Sequence, residues 1–178
     1  YYLMAIEKNH VDAMYNLALY YQNIEKNYTE MKKYYLMAIE KDYVYAMYNL
    51  GDYYKDIEIN YNEAKKYYLM AIEKGCTDSM FHLGYYYQNI EKNYTEMKKY
   101  YLMASEKGYI SAMVDLGYYY QDIEKNYTEM KKYYLMAIEK GCTDSMCNLG
   151  VYYQNIEKNY TEMKKYYLMA IEKDNVRA

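Results

Sequence analysis

The chain has 178 residues, 53% apolar and 26% charged, with a net charge of −3 and a sequence pI near 5.5. That content is too apolar for a disordered segment, and without a positive excess it argues against a simple polyanion binder. There are 34 Tyr against one Phe, no Trp and no Pro, with 15 Met and only 7 Gly, a balance that favours helices throughout. Apolar runs at helix ends, such as Tyr34 to Ile39, are far too short to cross a bilayer, so no membrane insertion is expected.

The string Tyr-Tyr-Leu-Met-Ala-(Ile/Ser)-Glu-Lys begins at Tyr1 and returns at Tyr34, Tyr67, Tyr100, Tyr133 and Tyr166, each start 33 residues after the last. A fixed period of this size signals stacked supersecondary units that cannot bury their apolar sides alone. The Tyr and Met columns are therefore expected to be core. The frame predicts one array: the end of a truncated repeat at 1–8, full repeats at 9–41, 42–74, 75–107, 108–140 and 141–173, and the start of another at 174–178. Those ends read as an internal stretch of a longer protein.

Each period predicts two helices. The first, A, runs near Asp12 to Asn23 in the first full repeat, where Met14, Leu17, Ala18 and Tyr21 share one helical face. The second, B, starts at Asn27, with Glu30 three residues on, so that the pair can satisfy two orphan amides. The same start recurs at Asn60, Asn93, Asn126 and Asn159. Helix B carries Tyr28, Met31, Tyr35, Ala38 and Ile39 on one side and Thr29, Lys32, Lys33 and Glu40 on the other, with Leu36 inside the polar stripe. It should stop near Lys41. Gly75, Gly108 and Gly141 follow that stop, where a left-handed residue belongs; Asn9, Asp42 and Asp174 hold the place elsewhere. Gly51, Gly84, Gly117 and Gly150 lie inside helix A at a cost of about 1 kcal/mol each, which a close helix–helix approach can offset. Ala18 occupies that slot in the first repeat.

Gly75-Cys76-Thr77-Asp78-Ser79-Met80-Phe81-His82-Leu83-Gly84-Tyr85-Tyr86-Tyr87, followed by Asn93-Tyr94-Thr95-Glu96-Met97-Lys98-Lys99-Tyr100-Tyr101 and Ala104-Ser105-Glu106-Lys107-Gly108, resembles the Sel1-like repeat, a relative of the tetratricopeptide repeat. The resemblance recurs five times. The chain departs from it in the short connection Asn23 to Lys26 and in Met31, Met97, Met130 and Met163, where the family has alanine. It implies an all-α fold, an α-solenoid of antiparallel helix pairs in a right-handed superhelix with A helices on the concave side. It also implies a non-enzymatic scaffold or adaptor that binds protein.

Comparison of the repeats with one another adds a site. From Asn27 to Lys41 the equivalents differ only at Asn62, Ala64 and Ser105, whereas helix A varies. At 100° per residue, the variable columns fall opposite the Met14 face. They supply the predicted partner-binding residues: Tyr15, Tyr48, Phe81 and Val114; Asn16, Asn49, His82, Asp115 and Asn148; and Leu19, Asp52, Tyr85, Tyr118 and Val151. Aromatic and aliphatic side chains on a solvent-facing side favour recognition over drift. The partner class is a protein or peptide.

Chemistry has little to stand on. His10 and His82 are the only histidines, no metal-spaced His or Cys set occurs, and no catalytic residue, cofactor or metal is expected. His82 lies near Asp78 and Ser79 in sequence, a spacing that chance readily supplies. Cys76, Cys142 and Cys147 read as thiols in a reducing, cytoplasm-like compartment. The lysine doublets at 32–33, 65–66, 98–99, 131–132 and 164–165 raise an RNA-binding alternative, which their neighbours Glu30 and Glu40 weaken. A purely structural spacer is the other alternative.

Overall fold

The computed structural model describes residues 10–175 of the chain, so the truncated repeat at 1–8, the cap at Asn9 and residues 176–178 lie outside the described residues. The described residues form helices and connections, with no strand among them. They belong to two compact units, one ending at Leu83 and the other beginning at Gly84.

The first unit holds α1 (Val11–Tyr20), which passes into a π-helical turn at Tyr21–Glu25, then α2 (Tyr28–Ile39), α3 (Val44–Asp56), α4 (Tyr61–Glu73) and the start of α5 (Thr77–Asn89). The second holds the rest of α5, α6 (Tyr94–Glu106), α7 (Ile110–Asp122), α8 (Tyr127–Glu139), α9 (Thr143–Asn155) and α10 (Tyr160–Asn175). Odd-numbered helices are the A helices and even-numbered ones the B helices, giving the helical hairpins of an α-solenoid.

Helix B begins where its cap requires. The Glu30 amide donates to Asn27 Oδ1 at 3.2 Å, and the Glu63, Glu96, Glu129 and Glu162 amides do the same with their own asparagines. The expected reciprocal bond is replaced. The Asn27 amide donates to the Tyr21 carbonyl at 3.0 Å, and the Glu30 carboxylate turns to Lys33 at 3.0 Å. Between A and B the chain reverses through one left-handed residue, Lys26, Ile59, Lys92, Lys125 or Lys158, with φ of 53–55°. Between B and A the reversal uses Asp42, Gly75, Gly108 and Gly141, with φ of 61–87°. At Asp174 no such stop occurs, and α10 continues to Asn175.

The core consists of the expected columns. In the first unit Met14, Leu17, Ala18, Met31, Tyr35, Ala38, Ala46 and Leu50 are buried together; in the second, Met97, Tyr101, Ala104, Met113, Leu116, Met130 and Tyr134 are buried. The glycines inside helix A have a specific purpose. A Cβ on Gly51 would lie 2.8 Å from the Tyr68 ring, and one on Gly84 2.5 Å from the Tyr101 ring. Each glycine is the seat of the second residue of the Tyr-Tyr pair in its own B helix; Tyr68, Tyr101 and Tyr134 are fully buried there, and Tyr167 is half-buried. In the first hairpin, Ala18 holds the glycine slot, buried in one cluster with Tyr35, and the A helix loosens into the π turn three residues later. The sequence Tyr-Tyr-Gln-Asn-Ile-Glu of that turn recurs at 86–91 and 152–157 without a π turn. The difference therefore lies outside the turn itself; just upstream, Ala18 and Leu19 are both residues that no other A helix carries at those positions.

Candidate partner-binding face

None of the fourteen predicted residues is fully buried, but Tyr15 and Leu19 pack against the Met14 and Met31 core and Tyr48 against the cluster of Met47, Ala71 and Cys76. They are not equivalent. In the first unit half of them hydrogen-bond one another. Asn49 Nδ2 donates to the Tyr15 hydroxyl at 3.0 Å and to the Tyr35 hydroxyl at 3.4 Å, tying α3 to both helices of the preceding hairpin. His82 Nε2 lies 3.1 Å from the Tyr48 hydroxyl, and its ring stacks on Tyr68 with centroids 5.9 Å apart. The Tyr68 hydroxyl donates to Asp52 Oδ1 at 2.5 Å. Lys55 Nζ sits 3.3 Å from Asp52, 3.4 Å from Asp56 and 3.4 Å from His82 Nδ1. An ammonium only donates, so Nδ1 accepts and Nε2 carries the proton toward Tyr48. Burial pushes the His82 pKa down, Asp52 opposes this and Lys55 adds to it, so the ring is neutral at pH 7. Of this unit's predicted residues Asn16 is exposed, while Tyr15, Leu19, Tyr48, Asn49, Asp52, Phe81 and His82 are half-buried.

His82 and Ser79, close in sequence, do not bond to each other. The Ser79 hydroxyl is buried without a hydrogen-bond partner, and His82 turns to α3 instead. Among the described residues no His, Cys, Asp and Glu cluster could hold a metal ion, and no helix is long and apolar enough to cross a membrane.

The second unit leaves more of the face open. Tyr85, Tyr118 and Val151 occupy equivalent positions on α5, α7 and α9 and are 48%, 41% and 45% exposed. Asn148 is half-buried and donates to the Tyr118 hydroxyl at 3.0 Å. Val114 and Asp115 are half-buried. Burial raises the Asp115 carboxyl pKa, and a hydrogen bond from Tyr101 opposes the rise. A helical wheel places all fourteen residues on one side; the depth of each depends on what the adjacent hairpin puts beside it.

Charge is segregated between the helices. The A helices carry Asp12, Asp52, Asp56, Asp78, Asp115, Asp122 and Asp144, and Lys55 is their only lysine among the described residues. Most lysines of the B-helix doublets are paired with glutamates. Lys32 pairs with Glu58 of the next hairpin at 2.6 Å, and Tyr53 donates to the same carboxylate oxygen at 2.8 Å. The clasp repeats as Lys98–Glu124 with Tyr119 and Lys131–Glu157 with Tyr152. Lysine first and tyrosine second hold the Glu58 and Glu124 carboxyls below their ordinary pKa; at Glu157 the order is reversed. The second lysine of each doublet pairs three residues back, as Lys33 does with Glu30 at 3.0 Å. The sequence offered only the neighbouring Glu30 and Glu40 as balancing charges. The first lysine instead reaches 26 residues ahead, a distance no helical spacing rule covers. Leu36, Leu135 and Leu168 of the unassigned B-helix column are exposed, as are Ile24, Ile57, Ile90, Ile123 and Ile156 at the A–B turns.

The Sel1 repeat family model matches residues 11–43, 44–76, 77–109, 110–142 and 143–175. The chain belongs to the Sel1 repeat family. Its repeats start two residues after the frame read from the left-handed positions, at the A helices themselves. Sel1 repeats, like the related tetratricopeptide repeats, generally form non-enzymatic scaffolds for protein–protein interaction. No curated protein sequence matches the chain. Solved structures with the same fold include c5321, a protective antigen of uropathogenic Escherichia coli displaying an SLR fold, with a TM-score of 0.78 and 22% identity over 97% of this chain. A Sel1 repeat protein from Oxalobacter formigenes has a TM-score of 0.74 and 24% identity over 96% of this chain and 76% of its own. YrrB, a tetratricopeptide-repeat protein with an unusual peptide-binding site, has a TM-score of 0.64 and 22% identity over 97% of this chain and 91% of its own. The chain spans 40% of the length of the antigen.

Proposed function

We propose that this Sel1 repeat chain is an interaction scaffold that holds a peptide segment of a partner protein against its A helices, the concave side in the family resemblance. Tyr85, Tyr118 and Val151 are its accessible anchors. The observation that carries this reading is the contrast between repeats whose B helices are nearly identical and a variable A-helix register position where Tyr85, Tyr118 and Val151 are exposed. Packing alone gives no reason for large apolar groups to stand in solvent at that position, and anchors of this kind concentrate binding energy. Within the second unit Val114 and Asn148 border that face and Asp115 is half-buried beside it; within the first unit Tyr15, Tyr48, Asn49, Asp52 and His82 hold their own helices in place. Most of the lysines that the RNA alternative would use are already paired with glutamates. A reducing compartment fits this reading, with buried Cys76 and half-buried Cys142 outside any disulfide among the described residues.

The test is a variant with Tyr85→Ser, Tyr118→Ser and Val151→Ser together. Peptides selected from a random dodecapeptide phage library on the 178-residue chain should lose at least tenfold in affinity for it, with the melting temperature nearly unchanged. Undiminished peptide binding would refute the assignment.

A further inference from the structure

One place on the A face already shows which ligand it favours. In α3, Lys55 lies against the Asp56 and Asp52 carboxylates, filling a cationic position with a side chain of the chain itself. Two repeats on, α7 repeats the acid but lacks the cation. Asp122 stands where Asp56 stands, Gln121 replaces Lys55, and Tyr118 replaces Asp52. Asp122 is exposed, receives a hydrogen bond from Gln121 Nε2 at 3.3 Å, and has no ion pair among the described residues.

It also lines a cleft of about 150 Å³ whose far wall is Val151, Asn155 and Ile156 of the next hairpin. That volume is well below the several hundred Å³ of cofactor and drug-sized pockets and suits a single side chain. A long aliphatic stem would lie along Val151 and Ile156 while a cationic head reached Asp122. Lys125 borders the cleft, at the left-handed turn, without pairing with Asp122.

We infer that the cleft between Asp122 and Val151 takes a lysine or arginine side chain from the partner segment. The occupant is therefore a basic peptide, matched to a helix face whose own charges are aspartates. This rests on the reading that the A face binds peptides, and it adds the chemistry of the ligand.

The same dodecapeptide selection on the full chain separates the two statements. Enriched peptides should carry Lys or Arg. Asp122→Asn should weaken them about tenfold, the usual scale for losing a charged hydrogen bond. Gln121→Lys, which copies the native Lys55 arrangement, should block the cleft from within and weaken binding to a similar degree. Lys125→Ala should tighten binding, and the remote Asp144→Asn should change it less than twofold. Peptides that need Tyr85, Tyr118 and Val151 but lack a basic residue, or ignore Asp122→Asn and Gln121→Lys, would overturn this inference and leave the binding face standing. If no peptide is enriched, or if binding survives the triple serine variant, the face itself is refuted and the inference with it.

Discussion

Replacing Gly51 by alanine pits two physical terms against each other. Helix propensity alone favours the change by about 1 kcal/mol, since Gly51 lies within α3. The added methyl would stand 2.8 Å from two carbons of the Tyr68 ring and 3.4 Å from the Ala64 carbonyl. The ring cannot easily retreat, because its hydroxyl is bound to Asp52 and its face is covered by His82. Overpacking of a fixed group costs about 1–3 kcal/mol. The balance is a net destabilisation of about 1 kcal/mol, read as a lower urea midpoint at unchanged slope and a fall of about 2–4 °C in Tm. The control is a double-mutant cycle with Tyr68→Leu. With the ring gone, Gly51→Ala should become stabilising by about 1 kcal/mol. Stabilisation by Gly51→Ala in the native background would refute the idea that glycine is kept to seat the tyrosine.

The equivalent tyrosines should respond to loss of their hydroxyls with opposite signs. The Tyr134 hydroxyl is buried without a partner, so Tyr134→Phe should raise stability by about 1 kcal/mol, whereas Tyr68→Phe breaks the bond to Asp52 and should lower it by a comparable amount, both measured by urea denaturation. The clasps between hairpins predict acid sensitivity. A carboxyl whose folded pKa is depressed contributes stability that is present above its ordinary value of 4.5 and is lost as pH falls through the lower folded value. Between pH 7 and pH 3 the native chain should therefore lose more stability than Glu124→Gln, and equal losses would contradict the clasp.

The hairpins were legible because their signals are local. Asn27 and its equivalents announce each B helix, Gly75, Gly108 and Gly141 close it, and the spacing of Met14, Leu17 and Ala18 fixes the buried side. Ile59 and the lysines that take the left-handed turn carried no such signal, since neither residue type favours that conformation. The short interval between the two helix patterns was the only clue. The site was legible as a side of a helix and no further. Tyr48 and Tyr85 look alike on a helical wheel, yet Tyr48 is drawn to His82 and Tyr68 while Tyr85 stands in solvent. That distinction depends on the adjacent hairpin, and in particular on a histidine 34 residues away. The Lys32–Glu58 clasp was missed for the same reason.

Tyrosine-specific nitration read by mass spectrometry, with and without a selected peptide, tests the division of the A face most directly. Without peptide, Tyr85 and Tyr118 should react readily and Tyr68, Tyr101 and Tyr134 hardly at all. Saturating peptide should protect Tyr85 and Tyr118 while leaving exposed Tyr160, at the start of a B helix, as reactive as before. Protection of Tyr160 with Tyr85 and Tyr118 unaffected would move the docking surface to the other side of the hairpins.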